Sequence, residues 1–195
     1  MMLLSVLPSS FELALTTAPY YRSTYVFVSR RDRNLNIKSL DDDLLKELKI
    51  GVLMIGDDRT NTPPAYALAN RGITKNIVGY SIYGDYKQAN PPAGIVDAVV
   101  KKEVDLAVVW GPLAGFFAKK QTVPLRIEPV SPQIDLPYLP FVYDISMGVR
   151  RGEDELKGQL EEILTRKRGE IEKILDEYNL PRISAETAAL NQEGK

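Results

Sequence analysis

Between residues 49 and 117, short apolar runs alternate with helical patterns. The runs are apolar enough to predict three buried strands, at 50–55, 77–83 and 104–110. A polar loop follows each of the first two strands, and the pairs Pro63-Pro64 and Pro91-Pro92 then predict two helices, at 65–70 and 93–102. Because the links are short, this order predicts parallel strands with right-handed crossovers.

The segments that flank this unit carry patterns of their own. Runs rich in β-branched, aromatic and other apolar residues predict four more strands, at 1–7, 20–30, 123–130 and 141–149. Apolar positions at helical spacing predict a long amphipathic helix over 153–178, with a break near Gly169. Core packing is the commoner use of such a face, so we expect this helix to cover the sheet.

A short helix is predicted to begin after Ser39. Ser39 would be its N-cap, and the acids Asp41, Asp42 and Asp43 would lie at the positive end of the helix dipole. The three acids do not predict a calcium site, because the glycine and the spaced acids of a calcium-binding loop are absent.

The order of elements predicts an α/β unit at 34–117 that is inserted between two flanking segments, 1–33 and 118–195. Both flanks contain strands that lead into or out of the insert, so the chain crosses twice between two lobes. Two crossings make a hinge with a cleft between the lobes. The loops of the insert meet at the carboxyl edge of its sheet, where open α/β sheets bind ligands.

Composition and charge narrow the classes of function. The chain has 195 residues, with 25 Lys and Arg against 26 Asp and Glu, and this balance removes the attraction that a nucleic-acid or anionic-membrane binder needs. Cys and His are both absent, which excludes disulfides, thiol nucleophiles, Ser-His-Asp triads and His-ligated zinc. Carboxylate, Lys and Tyr chemistry stays open, but binding is favoured over catalysis, and no cofactor or metal is expected.

Several long strings resemble one family. They are PYYRSTYVFVSRRDR, IGDDRTNTPPAYALA, YSIYGDY, VDLAVVWGPLAG and DISMGVRRGE. In content and order they are similar to periplasmic solute-binding proteins of the two-lobed type II class. The branch they resemble most is found with PQQ-dependent methanol dehydrogenases, the methanol-oxidation J-type protein. The resemblance covers residues 8–181 and implies an α/β fold with two lobes, hinge strands and a periplasmic location.

The chain departs from this family at its beginning. Family members start with an export signal and about half of the first lobe, whereas residues 1–8 lack the basic start and cleavage site of a signal. We therefore expect the first lobe, 1–33 with 118–195, to be incomplete. Either a preceding segment is missing or a second copy completes the lobe. Apolar faces at 2–7 and on the C-terminal helix would favour such a homodimer.

A second departure concerns the ligand. Amino-acid-binding members hold the ligand carboxylate with an Arg before the first crossing and the ammonium with an Asp after the third inserted strand. Residues 9–19 contain no Arg, and Trp110-Gly111-Pro112 stands at the other place. A zwitterion would bury both charges unpaired, so we exclude α-amino acids as ligands.

The predicted cleft is lined by aromatic and polar side chains from the first crossing and from three loops of the insert. Aromatic rings supply flat contact area with a polar handle, and Arg22 is the expected partner of an anion. Trp110 stands at the end of a strand beside a glycine, where a binding site explains it better than a core does. The predicted ligand-binding residues are Tyr20, Tyr21, Arg22, Asp57, Asp58, Asn61, Thr62, Tyr83, Asp85, Tyr86 and Trp110.

Three functions follow as hypotheses. The resemblance favours a non-catalytic periplasmic accessory factor of a quinoprotein methanol or alcohol dehydrogenase, which would use the cleft to hold a protein segment or the cofactor region. The alternative is a substrate-binding protein that delivers a small solute other than an amino acid to an ABC transporter. An enzyme that uses Tyr, Asp and Lys is disfavoured, because no nucleophile and base stand at a catalytic spacing.

Overall fold

In the computed structural model, residues 3–9, 11–55, 61–81 and 90–183 are described. Ten strands lie within these ranges: β1 (Leu3–Pro8), β2 (Leu15–Thr16), β3 (Tyr21–Arg30), β4 (Ile50–Met54), β5 (Ile77–Ser81), β6 (Leu106–Trp110), β7 (Leu125–Pro129), β8 (Ile134–Asp135), β9 (Leu139–Pro140) and β10 (Val142–Val149). Five α-helices accompany them: α1 (Pro63–Asn70), α2 (Gly94–Val100), α3 (Gly111–Lys119), α4 (Asp154–Arg166) and α5 (Arg168–Glu177).

One mixed sheet holds most of the strands. Its order is β1-β10-β3-β6-β4-β5, with β2 also paired to β10 and β7 also paired to β3. The neighbours β5, β4 and β6 are parallel, which confirms the predicted parallel unit. The short strands β8 and β9 form a separate antiparallel pair.

The long strand β3 joins the two parts of this sheet. Its first residues, Tyr21 to Thr24, pair with the beginning of β10, and its later residues pair with β6 on one side and β7 on the other. Along its length β3 is mostly buried, as the β-branched and aromatic run YRSTYVFVSR predicts. The predicted strand at 20–30 is therefore confirmed.

Two apolar clusters fill the space between the sheet and the helices. One contains Phe27, Leu68 and Phe141 and takes in α1 and the segment that precedes β4. The other contains Val26, Val28 and Val99 and takes in α2 and α3. Because successive residues of β3 enter different clusters, the alternation of a strand places one cluster on each face of the sheet.

The predicted short helix differs from the observed one. A 3-10 helix covers Asp43–Lys46, and its N-cap is Asp42, whose carboxylate accepts the amide of Leu44 at 3.0 Å. The hydroxyl of Ser39 instead accepts the amide of Asp41 in a tight turn. The prediction placed the cap three residues too early, because Ser and Asp are equally good caps and both occur in this run.

Two more elements depart from the sequence pattern. The predicted long helix is split at Lys167 into α4 and α5, two residues before the expected break. Helix α3 was not predicted, because its sequence GPLAGFFAK contains two glycines, which are poor helix formers, although Pro112 stands in the first turn, where proline is favourable. Within the described residues, no helix is both long and apolar enough to cross a bilayer.

The glycines of α3 let the C-terminal segment lie against it. A β-carbon at Gly115 would overlap the carbonyl of Asn179, and one at Gly111 would lie 2.6 Å from the carbonyl of Thr24. The ring of Phe116 also stacks on Tyr178 with centroids 5.7 Å apart. Helix α3 therefore forms from close packing that its local sequence does not encode.

Candidate functional site

Three of the predicted site residues, Asn61, Thr62 and Trp110, lie at one edge of the sheet. Strands β4 and β6 run parallel, so Met54 and Trp110 end at the same edge, and Asn61 forms a bridge back to Met54. Strand β3 runs antiparallel to β6, with Tyr25 opposite Trp110. Arg22 precedes Tyr25 by three residues on β3, so it stands about 10 Å beyond this edge.

Three rings form an aromatic cluster where the crossing strands meet β6. The cluster consists of Trp110, Tyr25 and Tyr143, each of which is half-buried. Trp110 packs edge-on against Tyr25 and Tyr143, with centroids 5.5 and 5.7 Å away, and the two tyrosine rings are 6.5 Å apart. Such T-shaped pairs are favourable because the positive edge of one ring meets the negative face of another.

The tyrosines of this cluster are held in their neutral form. Burial raises the pKa of the Tyr25 phenol well above its ordinary value, and the neighbouring Tyr143 adds to the shift. Burial also raises the pKa of Tyr143, whose hydroxyl donates to the carbonyl of Pro140 at 3.1 Å. The cluster therefore presents uncharged aromatic surface at neutral pH.

Three residues before Tyr25 on β3, Arg22 is engaged by Asp144. The two residues face each other across β3 and β10, and Nε and Nη2 of Arg22 each donate to one carboxylate oxygen at 2.7 Å. This hydrogen bonding raises the pKa of Arg22. The guanidinium that was predicted to meet an anion is therefore already matched by a carboxylate of the same protein.

The next two predicted residues shape the start of α1. Thr62 is buried, and its hydroxyl donates to the carbonyl of Leu53 at 2.6 Å, which fastens α1 to β4. The amide of Asn61 donates to the Tyr66 hydroxyl at 3.4 Å. Asn61 Oδ1 is buried and has no hydrogen-bond partner within the described part of the chain.

Tyr20 lies away from the aromatic cluster. It packs edge-on against Tyr21 at 5.0 Å and lines a pocket of about 270 Å³ between the β2–β3 loop and the two C-terminal helices. The other walls of this pocket are Ala18, Pro19, Glu161, Leu164, Thr165, Arg168 and Ile171. Burial, with a smaller contribution from Tyr21, raises the pKa of Tyr20 to about 12.

The structure thus brings Asn61, Thr62 and Trp110 to one edge, leaves Arg22 about 10 Å beyond it, and turns Tyr20 toward the C-terminal helices. Tyr21 stands in β3 opposite Ile145. The remaining predicted residues lie outside the described ranges; they are Asp57, Asp58, Tyr83, Asp85 and Tyr86.

Three residues of the candidate site were not predicted from the sequence, namely Tyr25, Tyr143 and Asp144. Both tyrosines occur in runs that were predicted as crossing strands, YYRSTYVFV and FVYDISMGV. Pairing those two strands in antiparallel register would have placed Asp144 opposite Arg22. No cluster of three potential metal ligands occurs among the residues that the structure describes.

Comparison with known proteins gives a consistent set of relatives, although no protein-family model matches the chain. The crystal structure of the periplasmic binding protein XoxJ from Methylobacterium extorquens AM1 is 32% identical, with a TM-score of 0.73. The match covers 88% of this chain and 74% of that one. The shared fold is that of the type II periplasmic binding proteins, which confirms the predicted fold class.

Two curated relatives agree with this match. The protein MoxJ of Methylorubrum extorquens is 32% identical over 179 residues, and MoxJ of Paracoccus denitrificans is 27% identical over 180 residues. These alignments cover 86% and 87% of this chain. The chain spans 57% of the first relative and 63% of the second, so it matches somewhat over half of their length.

Proposed function

The chain belongs to the family of the periplasmic binding proteins MoxJ and XoxJ, and from this premise we propose that it is an accessory factor of a quinoprotein methanol dehydrogenase. It is a binding-protein-like member of a family linked to methanol oxidation. The finer role that we propose is to bind the dehydrogenase in the periplasm, without catalysis, through the edge that carries Trp110.

The observation that carries this proposal is the aromatic cluster. Trp110, Tyr25 and Tyr143 offer a half-buried uncharged surface, and Arg22, three residues before Tyr25 on β3, is paired with Asp144. Aromatic rings dominate the energetics of protein interfaces because they bury large areas at small entropic cost. A segment of a partner protein suits such a surface.

The Arg22–Asp144 ion pair disfavours a small charged solute bound at Arg22. A buried ion needs an unpaired opposite charge or several hydrogen bonds to offset its desolvation. Releasing Arg22 for a ligand anion would leave Asp144 without its cation, so the exchange would gain little. An uncharged solute remains the alternative, and it would make the protein a receptor for a transporter.

The proposal rests on a two-lobed arrangement in which 34–117 forms one lobe and 1–33 with 118–195 forms the other. Strand β3 supports it, because its two halves pair with different sets of strands. In this arrangement the aromatic cluster lies at the junction, on the crossing strands themselves. A partner segment bound there would contact both lobes.

A binding experiment tests the proposal. We expect an immobilised quinoprotein methanol dehydrogenase of the same organism to bind the full chain, and Trp110→Ala to weaken this binding about tenfold or more. Trp110→Phe keeps an aromatic face and is the matched control, for which we expect a smaller loss.

A thermal-shift screen against uncharged metabolites provides the opposing test. A receptor would be stabilised by about 2.7 kcal/mol when its ligand is present at a hundredfold excess over Kd. Stabilisation by a metabolite together with no binding of the dehydrogenase would contradict the accessory role.

A further inference from the structure

The hairpin formed by β8 and β9 exposes an apolar tip. We call residues 134–138 the knuckle. Its side chains Ile134, Leu136 and Tyr138 are 52%, 69% and 91% exposed, within five consecutive residues. Single exposed apolar residues are ordinary, but three so close together form a contiguous patch that is typical of an interaction surface.

The base of the knuckle is fixed by a buried ion pair. Asp135 lies between Ile134 and Leu136 and is buried, and its two carboxylate oxygens accept from Nη1 and Nη2 of Arg71 at 2.7 and 2.9 Å. Nε of the same guanidinium donates to Asp41 at 2.7 Å. These hydrogen bonds raise the pKa of Arg71, so it stays charged at any physiological pH.

Backbone hydrogen bonds hold the hairpin at both ends. The carbonyl of Ser131 accepts a hydrogen bond from the amide of Leu40, and the amide of Ser131 donates to the carbonyl of Lys38, both at 3.0 Å. The amide of Phe141 donates to the carbonyl of Gln133 at 2.9 Å, and the side chain of Phe141 is fully buried. The tip is therefore preorganised, which lowers the entropy cost of binding.

The geometry points to the knuckle as a docking element for the proposed partner, the dehydrogenase, which would receive it in an apolar pocket edged by basic residues. This inference rests on the proposed function and adds a second contact surface to it. A convex tip with a rigid base needs a concave recipient. Tyrosine is a common hot-spot residue at such contacts.

The net negative charge of the segments around the knuckle favours the dehydrogenase over two other occupants, a second copy of this chain and an anionic membrane. The segments 38–47 and 131–140 together with Arg71 carry five carboxylates against three cations. A second copy docked in a symmetric contact would bring two such acidic surroundings together, and an anionic membrane would repel them. A basic rim on another protein complements the excess of negative charge.

The knuckle is also linked to the candidate site by a hydrogen bond. Strand β9 ends at Pro140, two residues after the knuckle, and the Pro140 carbonyl accepts the hydroxyl of Tyr143 from the aromatic cluster. A partner that contacts Tyr143 would therefore lie close to the end of the knuckle hairpin. Contact at both places would orient the dehydrogenase relative to the crossing strands.

The test replaces each of two exposed leucines, Leu136 in the knuckle and Leu13 outside it, by serine. We expect Leu136→Ser, and more strongly Leu136→Ser with Tyr138→Ser, to weaken binding of the full chain to the immobilised methanol dehydrogenase about tenfold or more. Leu13→Ser is the matched control, because Leu13 is 80% exposed and lies in the turn between β1 and β2. We expect it to change the affinity less than twofold.

The outcomes separate this inference from the proposed function. Undiminished binding by the knuckle variants, with loss in Trp110→Ala, overturns the inference and leaves the proposed function standing. No binding by the unmodified chain overturns both. Sedimentation equilibrium and flotation with phosphatidylcholine–phosphatidylglycerol vesicles complete the test, since knuckle-dependent self-association or vesicle binding would assign the patch to another occupant and overturn the inference.

Discussion

The ion pair between Arg22 and Asp144 determines how much net charge β3 and β10 present to a ligand. The sequence places a guanidinium at the first crossing, and we predicted an anion partner from that residue alone. Its actual partner stands 122 positions away in the chain. A pairing of that kind depends on the register of β3 against β10, which local patterns do not contain. The place of Trp110 at the end of β6 could be predicted, because it follows from one local run.

A double-mutant cycle measures this pairing. We expect Arg22→Ala and Asp144→Ala to show a coupling energy of about 1 kcal/mol in urea unfolding, since both side chains are 30% exposed and water screens the pair. High salt should reduce the coupling. Additive effects of the two substitutions would show that the bidentate contact contributes nothing in solution.

The half-buried tyrosines Tyr25 and Tyr143 make the free energy of unfolding depend on pH in the alkaline range. The folded chain holds the phenols of Tyr25 and Tyr143 neutral above pH 10, where the tyrosines of an unfolded chain ionise. Unfolding therefore releases protons in this range, and the free energy of unfolding falls as pH rises from about 10 to 12. It is unaffected by these groups below pH 10.

Tyr25→Phe isolates one part of this effect. We expect the variant to lose less stability than the unmodified chain between pH 10 and pH 12, and the difference between the two proteins to stay constant between pH 7 and pH 9. Urea unfolding at each pH provides the measurement. Parallel stability curves above pH 10 would contradict the assigned burial of the phenol.

Among the elements, those with strong local patterns were predicted well. Strands β3, β4 and β6 lie within one or two residues of their predicted bounds, because β4 and β6 are continuous apolar runs and β3 is rich in β-branched and aromatic residues. Helix α3 was missed, since its glycines are poor helix formers in isolation. They are required where α3 touches the C-terminal segment, and only the tertiary contact shows that need.

Two alanine substitutions test the glycine of this contact. We expect Gly115→Ala to destabilise the protein by about 1–3 kcal/mol, because the new methyl group would overlap the carbonyl of Asn179. Gly158→Ala in α4 is the matched control, since no heavy atom beyond the helix lies within 4 Å of its β-carbon position. That substitution should stabilise the helix by up to about 1 kcal/mol. Similar changes in urea unfolding for both variants would refute the close packing.

The ion pair under the knuckle makes a prediction for the hairpin. We expect Arg71→Met to cost about 3–5 kcal/mol, because it leaves Asp135 buried without its cation. Adding Asp135→Leu should recover much of the loss, since the pair is then replaced by apolar groups. Guanidinium unfolding of both variants measures the two steps. If Arg71→Met alone were as stable as the unmodified chain, the ion pair would not fix the hairpin.

At the scale of the whole molecule, the fold class could be predicted and the site only in part. The succession of strands and helices, together with the long family-like strings, was enough for the type II fold. The aromatic cluster required three separate segments to meet, around Tyr25, Trp110 and Tyr143. Which residues face one another at such a junction depends on how two crossing strands pair. That pairing is a property of the folded chain.

The single tryptophan allows a direct test of the central claim that a dehydrogenase binds at this junction. The chain contains one Trp, so 5-fluorotryptophan labelling gives one fluorine resonance, which reports on Trp110 alone. On titration with unlabelled quinoprotein methanol dehydrogenase, we predict that this resonance shifts or broadens in proportion to the complex formed. A resonance that stays unchanged while the dehydrogenase binds, or that responds only to a small uncharged metabolite, would contradict the claim.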